Sequence, residues 1–316
     1  MLCHKASLAC LCCALLLLLT CAAADTVPAL DGSGVLLQTL PMDDYTVGGP
    51  EIDPEAMCED GYSDPSIQVE MYHEWVGNAH FNVAHVKIAH ASQLRTALYN
   101  DTIWQNNYMW VIAAQKNAIV AVGGEYLYYL HNRDGYTVRM SQTLRDKGYE
   151  KRDMLITDQN GDFHITKGFT RETVTALQAE GVQIVNLFNF GPALIIDGEP
   201  VYDSFTKKGC YPVGDPQNSE PRTVIAQMGP LEYMFVVVDG RKMRIKNADG
   251  TTKLARGATL ATVGEYLLAH GCTQAYALDG GGSAAMYYRK TGVYSNPSSK
   301  RGVTDIVYFA ALEAAE

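Results

Sequence analysis

From about residue 66 onward, apolar and polar positions alternate in short runs. "IQVEMYHEW" and "FNVAHVKIA" put an apolar side chain at nearly every second position, the period of a half-buried strand. "ASQLRTALYN", which follows, predicts a helix. "YLYYLHNRDGYTVRM", "DMLITDQNGDFHIT" and "ALIIDGEPVY" each break two strand-like halves at Asp-Gly or Asn-Gly, which predicts hairpins at Asp134-Gly135, Asn160-Gly161 and Asp197-Gly198. "EYMFVVVDGRKMRI" reads as a buried strand entering a turn at Asp239-Gly240. "FTRETVTALQAEG" predicts a helix capped by Thr170 and ended by Gly181. In "GATLATVGEYLLAHG", Leu260, Val263, Leu267 and Leu268 recur at helical spacing, with Gly271 at the end. The last strand is "VTDIVYFAAL". Many strands and few helices, without regular alternation, predict an α+β fold with a mixed or antiparallel sheet and a few packing helices. Residues 67–316 read as one domain.

The first 66 residues do not share this pattern. Residues 1–24 carry Lys5, an apolar run and Ala22, Ala23 and Ala24, the signature of a secretory signal peptide cleaved before Asp25. "LLTC" also matches a lipoprotein box ending at Cys21, with an atypical threonine. Either way the sequence predicts a secreted or extracytoplasmic protein with no transmembrane segment in the mature chain. Residues 25–66 are rich in Pro, Asp and Gly. They read as an acidic, loosely ordered arm with room for a short strand between residues 35 and 40.

Five of the eight cysteines lie in the leader, leaving Cys58, Cys210 and Cys272. This is not a disulfide framework, and no CxxC metal pattern follows the leader. Cys272 reads as a small buried hydrophobe. The histidines, among them His73, His80 and His131, lack helical ligand spacing, so no metal site is predicted from them. The formal charge is −10. An acidic chain has no general attraction for nucleic acid, so an anionic substrate would need a few placed arginines or backbone amides.

"QAYALDGGGSAAMYY" raises the question of chemistry. A buried strand ends on Asp279, followed by Gly280, Gly281, Gly282 and Ser283. Three glycines cost backbone entropy. One reading is a nest of main-chain N–H groups that binds an anion, with the Ser283 hydroxyl beside it and Asp279 facing the same space. The plainer reading is a tight corner. The nucleotide motifs GxxxxGK[ST] and GxGxxG are absent. A hard cation held by Asp279 with carbonyl oxygens is compatible with the residues; no other cofactor is suggested. Asp197, Asp239 and Asp249 precede glycine and read as turn formers, while Asp305 falls in a strand-like run.

Taken in order, "YHEWVGNAHFNVAHVKIAHASQLRTAL", "AIVAVGGEYL", "FNFGPALIIDGEPV", "PRTVIAQ", "MFVVVDGR", "AYALDGGGSAAM" and "NPSSKRGVTDIVYF" resemble the phosphodiester glycosidase family, from about residue 69 to 312. The resemblance implies cleavage of a sugar-1-phosphodiester, N-acetylglucosamine-1-phosphodiester-like, at the anomeric carbon of a glycan or sugar-phosphate substrate. The leaving phosphate ester is already a stable anion, so charge-stabilising contacts matter more than a strong acid. The matching motifs supply Arg222 and Arg301, whose planar forks suit phosphate. They also supply Asp279 and Glu125 as carboxylates for the developing positive charge at carbon, and Asn189 and Asn296 as polar partners. The plainer readings are ion pairs for the two arginines, a solvated acid for Glu125 and a turn cap for Asn189. One departure stands out: Gly123 occupies the family's usual asparagine position. That points to altered or absent activity, and to a second reading of the chain as a binder of phosphorylated glycans or an envelope polysaccharide processing protein.

Overall fold

The computed structural model describes residues 25–127, 135–147, 152–202 and 215–316. The leader, Cys21, His131, Cys210 and the Asp134 half of one expected turn lie outside the described residues. The strand that follows that turn is Gly135–Arg139.

A nine-stranded sheet forms the centre. Its order is Glu199–Pro200, Ala193–Ile196, Gln274–Ala277, Arg222–Gly229, Glu232–Asp239, Ala79–Ile88, Ile67–Val76, Gly61–Ser63 and Met57–Cys58. All of its pairings are antiparallel. Alternation along the strands sorts side chains to two faces. Ile225, Phe235, Val237 and Tyr276 enter one apolar cluster, while Val224, Val236, Val238 and Ala277 enter another. The second cluster is closed by helix α3 (Leu260–Ala269), which presents Leu260, Val263 and Leu267 to it. Thr259 caps α3 by accepting from the Thr262 N–H, and Gly271 leaves it at φ +82°.

The first cluster is shared with a five-stranded sheet ordered Gly292–Val293, Met286–Tyr288, Val120–Gly123, Asp305–Phe309 and Leu94–Leu98. Helix α1 (Met109–Gln115) covers that sheet's outer face through Met109, Ile112 and Ala113. A second five-stranded sheet contains the Asn160-Gly161 hairpin and packs on helix α2 (Arg171–Ala179), capped by Thr170 as expected. Among the described residues, three short α-helices and antiparallel strands make this the α+β fold that the residue pattern predicts.

Two expectations need correction. "ASQLRTALYN" is not a helix: a single turn at Ala91–Gln93 leads into the strand Leu94–Leu98, paired with Asp305–Phe309. All five strand residues are buried, with Leu94 and Ala97 serving cores on opposite faces. Arg95 is satisfied inside by the carbonyls of Pro41, Ser92, Asp44 and Val47. Pairing with Asp305–Phe309 and burial on both faces override local helix propensity. The acidic arm is also built into the structure. Leu36–Gln38 pairs with Thr26–Pro28 and Glu313–Ala314, Met57–Cys58 and Gly61–Ser63 extend the central sheet, and Leu37, Ile52, Met57 and Tyr62 are buried.

Candidate active site

Asp279 leaves the end of the strand Gln274–Ala277 where the central sheet meets the strand Val120–Gly123; its N–H donates to the Gly124 carbonyl at 3.0 Å. Arg301 reaches it from the loop that crosses this edge. Arg301 Nη2 donates to Asp279 Oδ1 at 3.0 Å and Oδ2 at 2.9 Å, while Nε donates to Ser283 Oγ at 2.6 Å. The Arg301 guanidinium also lies 4.9 Å from the Tyr126 ring centre. Burial pushes the Asp279 carboxyl up to about 6, against the pull of Arg301 and Ser283. A narrow crevice is lined by Asp279, Glu125, Tyr126, Leu127, Gly302, Val303 and Thr304. The expected carboxylates, Asp279 and Glu125, thus share one wall.

Glu125 is not a solvated acid. It is buried, and Arg139 Nη2 donates to its Oε2 at 2.7 Å. The same guanidinium donates twice to Asp305 Oδ2, from Nε at 3.0 Å and Nη2 at 2.8 Å. It also donates to the carbonyls of Val138 and Leu187 and lies 4.0 Å from the Phe188 ring centre. Two carboxylates therefore share one arginine inside the protein, and Asp305 Oδ1 makes no hydrogen bond among the described residues. Burial pushes both acids above their ordinary range, only partly opposed by Arg139. Gly124 is required here. A Cβ on it would lie 2.4 Å from Asp305 Oδ2. A Cβ on Gly123, in contrast, would meet Val303 and the Ser283 carbonyl at 3.4 and 3.7 Å, ordinary contact distances facing the site.

The glycine turn resolves differently from an open nest. Gly281 has φ +58° and donates its N–H to the Pro221 carbonyl, and the Ser283 N–H goes to the Gly280 carbonyl. Two of the four amides are therefore spent within the fold. A Cβ on Gly280 would come within 2.7 Å of the Pro221 carbonyl oxygen, and one on Gly282 within 2.5 Å of Ser299 Oγ. The three glycines are there largely because three neighbours touch the main chain. Gly280→Ala is expected to cost about 1–3 kcal/mol, since a backbone carbonyl cannot step aside. Gly229→Ala, whose Cβ would meet open space, should stay within about 0.5 kcal/mol. Equal urea midpoints for the two variants would overturn this reading.

Arg222 occupies the first position of its strand, with its Cα 3.5 Å from where a Gly280 Cβ would sit. Its guanidinium donates to the carbonyls of Ala258, Asp215 and Asn218 at 3.1, 2.9 and 2.7 Å. Burial lowers it to about 10. Through these three carbonyls it braces the loops beneath the turn. Asn189 is buried and donates to the Arg152 carbonyl at 3.2 Å. Its backbone N–H also helps hold the Glu125 carboxylate. Asn296 is bound to Asp239, through its backbone N–H at 2.7 Å and its side-chain amide at 3.0 Å.

Asp239 is thus more than a turn former. It is buried and also meets His80 Nδ1 at 2.8 Å. His73 lies between His80 and Tyr294, at 5.2 and 4.3 Å between ring centres. Nothing in the spacing of "NAHF" or "VDGR" announces this contact, which depends on cross-strand register. Arg139 and Arg241 were equally invisible. Arg241 stands at φ +55°, with Nη2 3.1 Å from the Cβ position of Gly281. Among the described residues no three His, Cys, Asp or Glu side chains converge to hold a metal ion, and both Asp279 oxygens already accept from Arg301. Cys58 is exposed and free; Cys272 is a buried thiol, pushed up to about 12 by burial. No described helix is long and apolar enough to cross a membrane.

No curated protein matches the chain. Among solved structures it resembles the catalytic domain of zebrafish N-acetylglucosamine-1-phosphodiester alpha-N-acetylglucosaminidase, there auto-inhibited by a pro-peptide. The TM-score is 0.61 at 15% identity, over 78% of this chain and 84% of that one. A hypothetical protein from Synechocystis gives a TM-score of 0.49 at 16% identity, over 77% of this chain and 62% of that one. The phosphodiester glycosidase family profile matches residues 115–310, well over half of the sequence and the whole span from Glu125 to Arg301. On that match the chain belongs to the phosphodiester glycosidase family.

Proposed function

We propose that this protein hydrolyses a sugar-1-phosphodiester at the anomeric carbon, outside the cytoplasm, after removal of residues 1–24. The observation that carries the reading is one crevice lined by both Asp279 and Glu125, with Arg301 bound to Asp279 beside it. The bond between the anomeric carbon and oxygen breaks, its electron pair leaves with the phosphate monoester, and water supplies the hydroxyl of the freed sugar. Asp279 serves as nucleophile, or as base toward that water. Arg301 sits where it neutralises charge on the leaving phosphate, and its Nη1 makes no hydrogen bond among the described residues. Glu125, held by Arg139, stabilises positive charge on the sugar ring. Release of phosphate ester from a panel of sugar-1-phosphodiesters tests the reading; an inactive, folded protein on every member would sink it.

Gly123 favours one alternative, a binder that holds the phosphorylated glycan without turnover. Gly123→Asn separates the two. Its Cβ fits the space, and a gain of activity in the variant would mark the natural chain as attenuated.

The Asp279 environment fixes the pH behaviour. The ionised carboxylate is the working form, so kcat/KM is expected to rise tenfold per pH unit and level off above about pH 6. Folding stability moves oppositely. Between the ordinary value of 3.8 and about 6, the folded chain keeps a proton that the unfolded chain has lost. Stability therefore falls as pH rises through that window. Arg301→Gln removes an attraction for the charged form and should move the activity limb upward. A limb that stays in place in this variant would show that another group titrates.

A further inference from the structure

The segment from residue 241 to 256, "RKMRIKNADGTTKLAR", holds six basic residues and one aspartate in a chain of formal charge −10. It folds as a hairpin of Met243–Lys246 against Thr252–Ala255. Alternation gives it two unlike faces. Ile245 and Ala255 are buried, and Lys253 turns inward to the Gly77 carbonyl and the Trp75 ring. The other face presents Arg244, Lys246, Leu254 and, one residue past the strand, Arg256, all exposed. No carboxylate pairs with these three cations among the described residues. The one aspartate, Asp249, is engaged at the hairpin tip by the N–H and hydroxyl of Thr251.

The hairpin is rooted at the candidate active site. Its flanking glycines pack on Glu220 and Pro221, the segment against which the DGGGS turn also rests. A Cβ on Gly240 would touch Pro221 at 3.0 Å, and one on Gly257 would touch the Glu220 backbone at 2.6 Å. Pro221 is the residue whose carbonyl receives the Gly281 N–H. Arg241, at the near end, lies over Gly281 and is steadied by Glu220 at 3.2 Å. A line of positive charge thus starts at the turn beside Asp279 and runs outward along the hairpin. Cations two residues apart on a strand stand roughly 6.5–7 Å apart, a spacing suited to a ligand with regularly repeated anions. Exposed Leu254, opposite Arg244 and two residues from Arg256 on this face, suits the carbon backbone of such a chain.

From this we infer that the substrate is a polymer of repeating phosphodiesters. Its terminal or internal sugar-1-phosphate enters the crevice while the following phosphates lie along Arg244, Lys246 and Arg256. The inference rests on the phosphodiester glycosidase reading for the cut itself, whereas the binding surface stands or falls separately. A chain acidic overall and basic on this face would collect a polyanion there by charge complementarity, and its grip would weaken with salt.

The test uses the mature chain and a triple variant, Arg244→Gln, Lys246→Gln and Arg256→Gln, all exposed changes expected to leave the fold intact. A fluorescent oligomer of glycerol phosphate and a sugar bearing one phosphodiester are the two probes, with phosphatidylglycerol vesicles as a third arm. The natural chain should bind the oligomer more tightly than the single phosphodiester, with affinity falling steeply with salt. The variant should lose about tenfold or more on the oligomer, with a shallower salt slope and no change on the single phosphodiester. Unchanged oligomer affinity in the variant overturns the inference, as does an oligomer that the natural chain does not bind. Loss confined to the vesicles overturns it in favour of a membrane-facing surface. Oligomer binding lost in the variant, with no turnover of any sugar phosphodiester by the natural chain, upholds the surface and removes the enzymatic reading.

Discussion

An Asp279→Asn chain is expected to fold, keep its substrate affinity within a few-fold, and lose at least about a thousandfold in turnover. That factor corresponds to ~4 kcal/mol of transition-state stabilisation. The substitution keeps the shape of the side chain and the backbone bond to Gly124. It removes the carboxylate paired with Arg301, which in the proposed function attacks the anomeric carbon or takes a proton from water. Arg301 keeps its bonds to Ser283 Oγ and the Gly280 carbonyl, and its side chain is one-third exposed, so the lost ion pair should cost little stability. Thermal melts recorded beside the kinetics divide the outcomes. Lost activity with a preserved melting temperature assigns the chemistry to Asp279. Full activity in the variant would move the site elsewhere, and a collapsed fold would make Asp279 structural.

The second large effect is on stability. Arg139→Gln should lower it by about 3–5 kcal/mol, because two buried carboxylates, Glu125 and Asp305, lose their common counter-charge. Lowering the pH should restore part of the loss, since protonating the two acids removes the unpaired charge. Adding Asp305→Asn to Arg139→Gln should restore part of it at neutral pH, through the coupling expected of groups in contact. Arg139→Lys should not rescue fully, because one ammonium cannot reproduce the Nε and Nη2 pair on Asp305 together with the arm to Glu125. If chemical denaturation shows all of these within about 1 kcal/mol of the natural chain, the triad is not what positions Glu125.

Where a local signal and the tertiary context agreed, the residues could be read directly. Asn160-Gly161 and Asp197-Gly198 mark hairpins because the turn itself needs those residues. Thr170 and Thr259 precede helices they cap. "LRTAL" misled because Leu94 and Leu98 are spaced for a helix, while their burial is decided by a strand more than two hundred residues away. Partners set by the tertiary fold also hid Arg139. A lone arginine in a strand has no motif, and its partners lie 14 and 166 residues off. Arg222 shows the opposite difficulty. Its motif was visible, but no spacing states which way a guanidinium points, and it points to three carbonyls. Asp239 looked like every other Asp-Gly turn, and only register placed His80 across from it.

The crossing loop from Ser295 to Arg301 has a consequence in time as well as in space. Ser295 Oγ accepts the Met286 N–H, Asn296 is tied to Asp239, Ser299 Oγ donates to the Gly282 carbonyl, and Arg301 holds Asp279. These ties reach two different sheets and the turn between them, so the segment cannot peel away one residue at a time from a free end. It opens as a unit or not at all, and its amides exchange with solvent at the pace of that collective event rather than at the pace of an ordinary surface loop. Arg301 is therefore expected to stay in one place beside Asp279. If the proposed function holds, variation between one turnover and the next comes from the ligand and the outer rim, not from this cation.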